Sequence, residues 1–184
     1  MQEQNPGQTL VMPPSRPLTA GEMDSLYELA FTRRWHPKYN EQGGVPALEP
    51  VKFSITTHRG CFGGCSFCSI FFHQGKQISS RSVGNIIAEL DRLAASGDFK
   101  GTIHDIGGPS ANMYGMNCGK ENICNRPSCL YPKICKSLNT DHEPMLRLLE
   151  EIAKWKKTGK KNINAFIASG VRFDLANLCP EYVS

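Results

Sequence analysis

Three stretches of the chain carry apolar residues at the three- and four-residue spacing of an amphipathic α-helix. The first follows Thr19 and Glu22, which have the spacing of a capping box, and its apolar positions are Met23, Leu26, Tyr27, Ala30 and Phe31. The second begins after Ser82 and stops at Gly97, with apolar positions Val83, Ile86, Ile87, Leu90, Leu93 and Ala94. The third has Pro144 in its first turn, followed by apolar Met145, Leu148, Leu149 and Ile152. The pattern therefore predicts three helices.

Three short runs of apolar and β-branched residues predict β-strands at 51–57, 101–106 and 163–168. With the second and third helices between them, they give the order strand, helix, strand, helix, strand. This order is typical of a parallel sheet with right-handed crossovers, so the predicted fold class is α/β. Ligands of such sheets bind at the carboxyl ends of the strands. A cysteine-rich loop, the pair Gly107-Gly108 and the turn 169–172 all follow strand ends, which predicts one site there.

The first fifty residues hold seven of the twelve prolines of the chain. Proline lacks a backbone N–H and fixes φ, so it disfavours both helix interiors and central strands. Apart from the first helix, we expect this segment to be extended and to lie over a surface. The predicted organisation is a proline-rich segment at 1–50 and a core domain at 51–184, with a cysteine-rich insertion at about 112–139.

The composition of the chain argues against several classes of protein. Of the 184 residues, 40% are hydrophobic and 21% are charged, which is ordinary globular usage and argues against disorder or a coiled coil. A net charge of +4 is small for a dedicated nucleic-acid binder. No apolar run approaches the roughly 20 residues that span a bilayer, and no secretory signal is recognisable. Eight cysteines in such a chain predict metal or redox chemistry in the cytoplasm rather than a disulfide framework.

The most informative segment contains Cys61, Cys65 and Cys68, which are separated by three and then two residues. Three thiolates at this spacing can surround one cuboidal iron–sulfur cluster, and the intervening Gly63 and Gly64 ease the sharp bends of the backbone. A cluster of four irons needs four ligands, so one iron is left open for a substrate or cofactor. The alternative is a structural zinc site that takes its fourth ligand from a nearby histidine.

This C-x3-C-x2-C pattern, with Phe67 just before the last cysteine, resembles the signature of the radical S-adenosylmethionine (SAM) enzymes. The resemblance implies that Cys61, Cys65 and Cys68 ligate a 4Fe-4S cluster whose open iron binds SAM. Reduction of such a cluster cleaves SAM to a 5′-deoxyadenosyl radical, which abstracts a hydrogen atom from a substrate. The resemblance further implies that Phe67 lies beside the adenine of the cofactor.

Four other residues are candidates for cofactor binding. The resemblance implies that Gly107 and Gly108 form the turn that receives the amino group of SAM, although Pro109 replaces the usual acidic residue. Ser110 follows this turn and could hydrogen-bond the cofactor, or be only a turn residue. Arg172 follows the third strand, where its guanidinium could pair with the cofactor carboxylate. The alternative for Arg172 is a surface arginine at a strand end.

Longer blocks are similar to the YgiQ-type radical SAM proteins, and they lie at 13–18, 58–68, 73–75, 81–82, 105–115, 128–130 and 167–172. This resemblance implies a partial (β/α) barrel with about three of its six parallel strand–helix units, and an electron donor of the flavodoxin or ferredoxin type. Because members of that family are longer, we expect this chain to be a fragment that does not turn over substrate alone. The alternatives are an iron–sulfur electron-transfer module and a structural zinc protein, both without SAM chemistry.

A second group of cysteines comprises Cys118, Cys124, Cys129 and Cys135, which are separated by five, four and five residues. Four thiolates in a short segment can enclose an auxiliary iron–sulfur cluster or a four-cysteine zinc site. The segment has few apolar residues to bury, so a metal would be its main source of order. The alternative is four ordinary thiols on a loop. We expect Cys179 to be an ordinary thiol.

Overall fold

The computed structural model describes residues 2–5, 7–10, 15–120, 124–158 and 163–182. The α-helices in these residues are Ala20–Tyr27 (α1), Ile70–Gln74 (α2), Val83–Ala94 (α3), Glu143–Thr158 (α4) and Phe173–Ala176 (α5). The strands are Gln2–Asn5 (β1), Gln8–Leu10 (β2), Ser54–Thr56 (β3), His58–Arg59 (β4), Ser79–Ser80 (β5), Thr102–Ile103 (β6), Asp105–Gly107 (β7), Asn117–Cys118 (β8), Leu138–Asn139 (β9) and Asn164–Ala165 (β10). Among these helices, none is both long enough and apolar enough to cross a membrane.

The predicted parallel arrangement is present, with strands shorter than predicted. β3 pairs parallel with β7, and β10 pairs parallel with β6. Because only His104 separates β6 from β7, β3 and β10 flank one central stretch, 102–107. The Ile106 N–H donates to the Phe166 carbonyl at 2.9 Å, which continues the contact beyond β10. The fold is mixed α/β with small parallel sheets, and the described residues form no closed barrel.

The largest apolar core lies between the central strands and the helices α3 and α4. Ile103 and Ile106 face this core from the strands. The apolar stripes of the two helices supply most of the rest, including Ile86, Leu90, Leu93, Met145, Leu148 and Ile152. Burying each such side chain stabilises the fold by roughly 1.5–3 kcal/mol. The sequence-predicted helical faces are therefore the faces that hold the strands in place.

The sequence pattern predicted the starts of α1 and α3 correctly, but it did not predict the end of α1. The Thr19 hydroxyl accepts from the Glu22 N–H, and the Glu22 carboxylate accepts from the Thr19 N–H, which confirms the capping box. Ser82 caps α3 in the same way, accepting from the Asn85 N–H at 3.2 Å. The prediction that the first helix continues to Phe31 is wrong. It ends at Tyr27, and Phe31 is 53% exposed, so burial does not favour a further turn.

The prediction that 1–50 is mostly extended is wrong in part. β1 and β2 are extended and form an antiparallel hairpin, but 3₁₀ helices occupy Pro37–Gln42 and Pro46–Leu48. Each 3₁₀ helix starts with a proline. The N–H of a residue at this position makes no hydrogen bond within the helix, so its absence in proline costs nothing. Pro13 and Pro14 lie outside the described residues. The domain boundary near residue 50 stays a prediction.

A buried ion network ties the N-terminal segment to the core. The Arg81 side chain is fully buried, and its Nη1 lies 2.6 Å from Oε2 of Glu89 on α3. Arg33 pairs with the other oxygen of Glu89, and the Arg81 guanidinium lies 4.1 Å from the centre of the Tyr27 ring. A buried charge is tolerated only when it is paired in this way, and removing Arg81 would leave Glu89 with Arg33 as its one remaining cation in this network. The network therefore requires the N-terminal segment to stay packed on the core.

Candidate functional site

The first cysteine group lies on the loop that leaves β3 and β4 and enters α2. The Cys61 N–H donates to the Gly75 carbonyl at 3.0 Å, which closes the loop at its base. The Cys68 N–H donates to the Cys65 carbonyl at 3.0 Å and bends the chain between these two cysteines. Gly64 has φ +61°, and a Cβ there would collide with the Pro127 carbonyl oxygen. Only glycine fits this bend, because the cysteine-rich segment packs directly against it.

The three cysteines of this loop form no disulfide, and the pKa of Cys61 depends on the other two. A Cβ built on Gly63 would lie 3.4 Å from the Cys61 sulfur and 3.7 Å from the Cys65 sulfur, so both sulfurs lie beside this glycine. Burial raises the pKa of Cys61, and the neighbouring Cys65 and Cys68 raise it further. The Gly63 backbone and the Arg172 guanidinium act in the opposite direction on that pKa. The loop thus places the sulfurs of Cys61 and Cys65 beside the Arg172 cation, and Cys68 is near enough to raise the pKa of Cys61.

Arg172 lies after the last parallel strand, β10, and contacts this loop through its side chain. Its Nη1 donates to the Cys65 sulfur at 3.3 Å, and its Nε donates to Oδ1 of Asp174 at 3.0 Å. The hydrogen bond to Asp174 raises the pKa of Arg172 above its ordinary value, which keeps the guanidinium charged. The structure therefore places Arg172 beside the first cysteine group. Its pairing with a cofactor carboxylate stays a prediction.

Close packing requires glycine at both positions of the pair Gly107-Gly108, which lies at the end of β7. A Cβ on Gly108 would lie 2.5 Å from the imidazole of buried His58, and one on Gly107 would collide with the Ser169 side chain. Ser110 is buried, and its hydroxyl lies 3.4 Å from Oδ1 of Asn112. These residues lie at the carboxyl end of the central strand, as predicted. Their contacts with SAM stay predictions.

Phe67 is the most exposed large apolar side chain of the described residues, at 91%. It lies on the first cysteine loop, between Cys65 and Cys68, and no described residue covers its ring. Covering such a ring with apolar surface would be favourable. Its exposure therefore suits a surface that contacts a ligand. The role beside an adenine stays a prediction.

The sequence reasoning missed Asp105, which fastens the loop after β10. Its Oδ1 accepts from the Ala168 N–H at 2.7 Å and from the Ser169 N–H at 3.0 Å. An acidic residue inside an apolar strand was the signal that could have found it, because such a group needs nearby donors. Asp105 therefore sets the path of the chain that leads to Arg172.

All four cysteines of the second group line one cavity of about 240 Å³. Lys76, Lys120 and Arg126 line the same cavity, and none of these three cations was singled out from the sequence. Burial raises the pKa of Cys129, and Lys76 lowers it. Among the described residues, no three His, Cys, Asp or Glu side chains are placed to hold a single metal ion. The four cysteines thus line one cavity, and a metal bound by them stays a proposal.

Comparison with known proteins shows which families the sequence of this chain is similar to. A family model described as "Radical SAM N-terminal" matches residues 1–54. A UPF0313 protein of Methanocella arvoryzae is 49% identical over 174 residues, covering 93% of this chain and 28% of the relative. A UPF0313 protein of Methanosarcina acetivorans is 46% identical, covering 98% of this chain and 26% of the relative. Another, of Bradyrhizobium diazoefficiens, is 47% identical, covering 93% and 25%.

The chain belongs to the UPF0313 (YgiQ-type) family of radical SAM proteins. It spans about a quarter of the length of the curated relatives it matches. Their names state no reaction, so activity and substrate are proposals here. Membership of the family supports an enzyme and an iron–sulfur cofactor in general terms.

The donor set of this UPF0313 chain fits a radical SAM cluster. A 4Fe-4S cluster is held by cysteine thiolates, and the loop offers three reduced thiols with no disulfide among them. The cation of Arg172 at the Cys65 sulfur offsets part of the negative charge that thiolates bring. Cys61, Cys65 and Cys68 are the residues that would hold the cluster.

Proposed function

We propose that this chain carries the cofactor centre of a radical SAM enzyme, with Cys61, Cys65 and Cys68 as ligands of a 4Fe-4S cluster. Such a cluster would leave one iron open for SAM, and the strand ends that carry Gly107, Ser110 and Arg172 would complete the SAM site. One electron delivered to the loaded centre would cleave SAM to methionine and a 5′-deoxyadenosyl radical, which would take a hydrogen atom from a substrate. The observation that supports this best is the Arg172 contact with the Cys65 sulfur, which brings the end of the third strand to the cysteine loop.

The cysteines must lose their protons to bind iron, and the structure sets how readily they do so. Burial raises the pKa of Cys61, so iron binding has to displace its proton, and loading is favoured at alkaline pH. Arg172 assists, because a fixed positive charge stabilises a nearby thiolate. Burial and the Arg172 charge therefore act in opposite directions on the pKa of Cys61. A substitution of Arg172 removes the second of these effects.

The side chains at the strand ends hold the loop in a fixed position. Asn112 is fully buried and anchors the backbone of Arg172, while Asp105 anchors the turn that precedes it. Fixed donors are worth more to a bound ligand than mobile ones, because no ordering is needed on binding. We expect the electron to come from a donor protein of the flavodoxin or ferredoxin type.

The test is anaerobic reconstitution of the chain with iron and sulfide, followed by EPR of the reduced protein with and without SAM. We expect SAM to change the signal of one cluster. Cys65→Ser should abolish the SAM-sensitive signal, because that cluster then lacks a ligand. Cys179→Ser is the matched control, since its thiol lies 3.5 Å from the Glu181 carboxylate and outside both cysteine groups.

Three results would contradict the proposal. An EPR spectrum that saturating SAM leaves unchanged would indicate an electron-transfer module instead. Bound zinc in place of iron would indicate a structural site. Loss of the SAM-sensitive signal in Cys179→Ser as well as in Cys65→Ser would show that the effect is not specific to the first cysteine group.

A further inference from the structure

We infer that Cys118, Cys124, Cys129 and Cys135 bind a second centre, a polynuclear iron–sulfur cluster separate from the SAM site. This inference goes beyond the proposed function and does not rest on it, since it concerns other ligands in another cavity. Three kinds of observation support it: the convergence of the thiols, the charges around them, and the size of the space they enclose.

The four thiols converge although they span a segment with little regular structure. Between Cys124 and Ser137 the chain forms neither helix nor strand, yet all four sulfur-bearing residues line one cavity. The Cys135 N–H donates to the Cys129 carbonyl at 2.8 Å, which folds two of the four toward each other. β8 and β9 pair antiparallel, with Cys118 opposite Leu138, and this closes the segment at its base.

The charges around the cavity suit an anionic cluster. Four thiolates bring four negative charges, and Lys76, Lys120 and Arg126 line the same cavity with three positive ones. Lys76 is held in place, because its ammonium donates to the backbone carbonyls of Cys124 and Arg126, the latter at 3.3 Å. Cations placed beside a cluster stabilise it and tune its potential. Ordinary loop thiols have no need of such an arrangement.

The size of the cavity distinguishes a cluster from zinc. A zinc ion holds four sulfurs at about 2.3 Å and leaves no space between them. Here the four cysteines, together with six other residues, line a cavity of about 240 Å³, several times the roughly 30 Å³ that one water molecule occupies in the liquid. The geometry favours a group of several atoms.

The second group is fastened directly to the first cysteine loop. The Cys129 N–H donates to the Phe62 carbonyl at 3.0 Å, and the Ser128 hydroxyl donates to the Gly63 carbonyl at 2.6 Å. Phe62 is buried in a small apolar core with Cys129, Leu130 and Leu138, and it also lines the cavity. The two cysteine groups are therefore parts of one packed unit rather than separate loops.

The decisive experiment uses a variant without the first group, Cys61→Ala/Cys65→Ala/Cys68→Ala. After anaerobic reconstitution, iron, acid-labile sulfide and zinc are measured per chain, with an absorption spectrum and EPR. We expect the variant to keep about half of the iron of the parent, an equal amount of sulfide, and a reduced signal that SAM does not change. Adding Cys135→Ser to it should remove most of that iron, whereas adding Cys179→Ser should not.

Each remaining outcome would overturn the inference. Zinc without sulfide in the triple variant would show a mononuclear site, and absence of both metals would show that the four cysteines are ordinary thiols. Circular dichroism of the triple variant confirms that it is folded, and tryptophan fluorescence provides a second check. Because this variant has no SAM cluster, failure of the proposed function and failure of this inference give different results.

Discussion

The side-chain amide of Asn112 pairs with both backbone polar groups of Arg172, sixty residues further along the chain. Its Nδ2 donates to the Arg172 carbonyl at 2.9 Å, and its Oδ1 accepts from the Arg172 N–H at 2.9 Å. Asn112 is fully buried and follows the glycine turn after β7. One side chain therefore fixes the backbone of the residue whose guanidinium reaches Cys65.

Replacing Asn112 with alanine should lower the free energy of unfolding by about 1–3 kcal/mol, because two backbone groups lose their partners. Denaturant titration of the apo chain measures this change. Asn177→Ala serves as the control, since Asn177 is exposed at the end of α5 and should change the value by less than about 0.5 kcal/mol. Equal effects of the two substitutions would contradict the anchoring role of Asn112.

Arg172→Gln and Asp174→Asn should shift the reduction potential of the SAM-binding cluster in opposite directions. The first removes the cation at the Cys65 sulfur, so reduction becomes harder and the potential more negative. The second removes the anion paired with Arg172 and leaves the cation uncompensated, so the potential rises. EPR-monitored redox titration measures both. A purely structural disturbance would move the two variants the same way, which would refute the electrostatic role.

His58 should make the chain less stable as the pH falls from about 6.5 to about 4. Burial lowers the pKa of His58 to about 4 in the folded state, against about 6.5 when unfolded. The unfolded chain therefore takes up the proton first, and the stability present above pH 6.5 is progressively lost, up to about 3 kcal/mol. Denaturant titrations at several pH values measure this slope.

The control for the pH dependence is a comparison of slopes rather than of absolute stabilities. His58→Gln should flatten the dependence between pH 6.5 and 5, whatever its effect on packing. His142→Gln should remove a separate part, because burial also lowers the pKa of His142. The hydrogen bond from Arg16 lowers the pKa of Glu22 to about 2, so the contribution of Glu22 is lost between about pH 4.5 and 2, below the range in which the slopes are compared. An unchanged slope in His58→Gln would contradict the assignment.

The chain should self-associate through the edge of β10. Among the described residues, β10 pairs with β6 on one side only, and Phe166 and Ile167 beside it are exposed. Unpaired edges with apolar neighbours promote association, and a lysine opposes it. Sedimentation velocity should show concentration-dependent oligomers that Phe166→Lys weakens. Phe72→Lys, at an exposed ring elsewhere, should leave them unchanged; equal effects would exclude the β10 edge as the interface.

Features that depend on near neighbours along the chain could be predicted from the amino-acid sequence alone. The capping box of Thr19 and Glu22 and the N-cap at Ser82 follow from residues three apart, and the buried faces of α3 and α4 follow from helical spacing. The alternation of strands and helices was enough to predict the parallel arrangement. The two cysteine groups were also visible as spacings, because their members lie close together along the chain.

Contacts between residues that are distant along the chain could not be predicted in this way, because they depend on how the whole chain folds. Arg172 contacts Cys65 across 107 positions, and Lys76 reaches the carbonyl of Cys124 across 48. No spacing rule specifies such pairs, because they depend on how the strands align and how the helices pack over them. The early end of α1 and the shortness of the strands were decided in the same way. Where local preference is weak, burial and hydrogen-bond partners from elsewhere in the chain set the outcome.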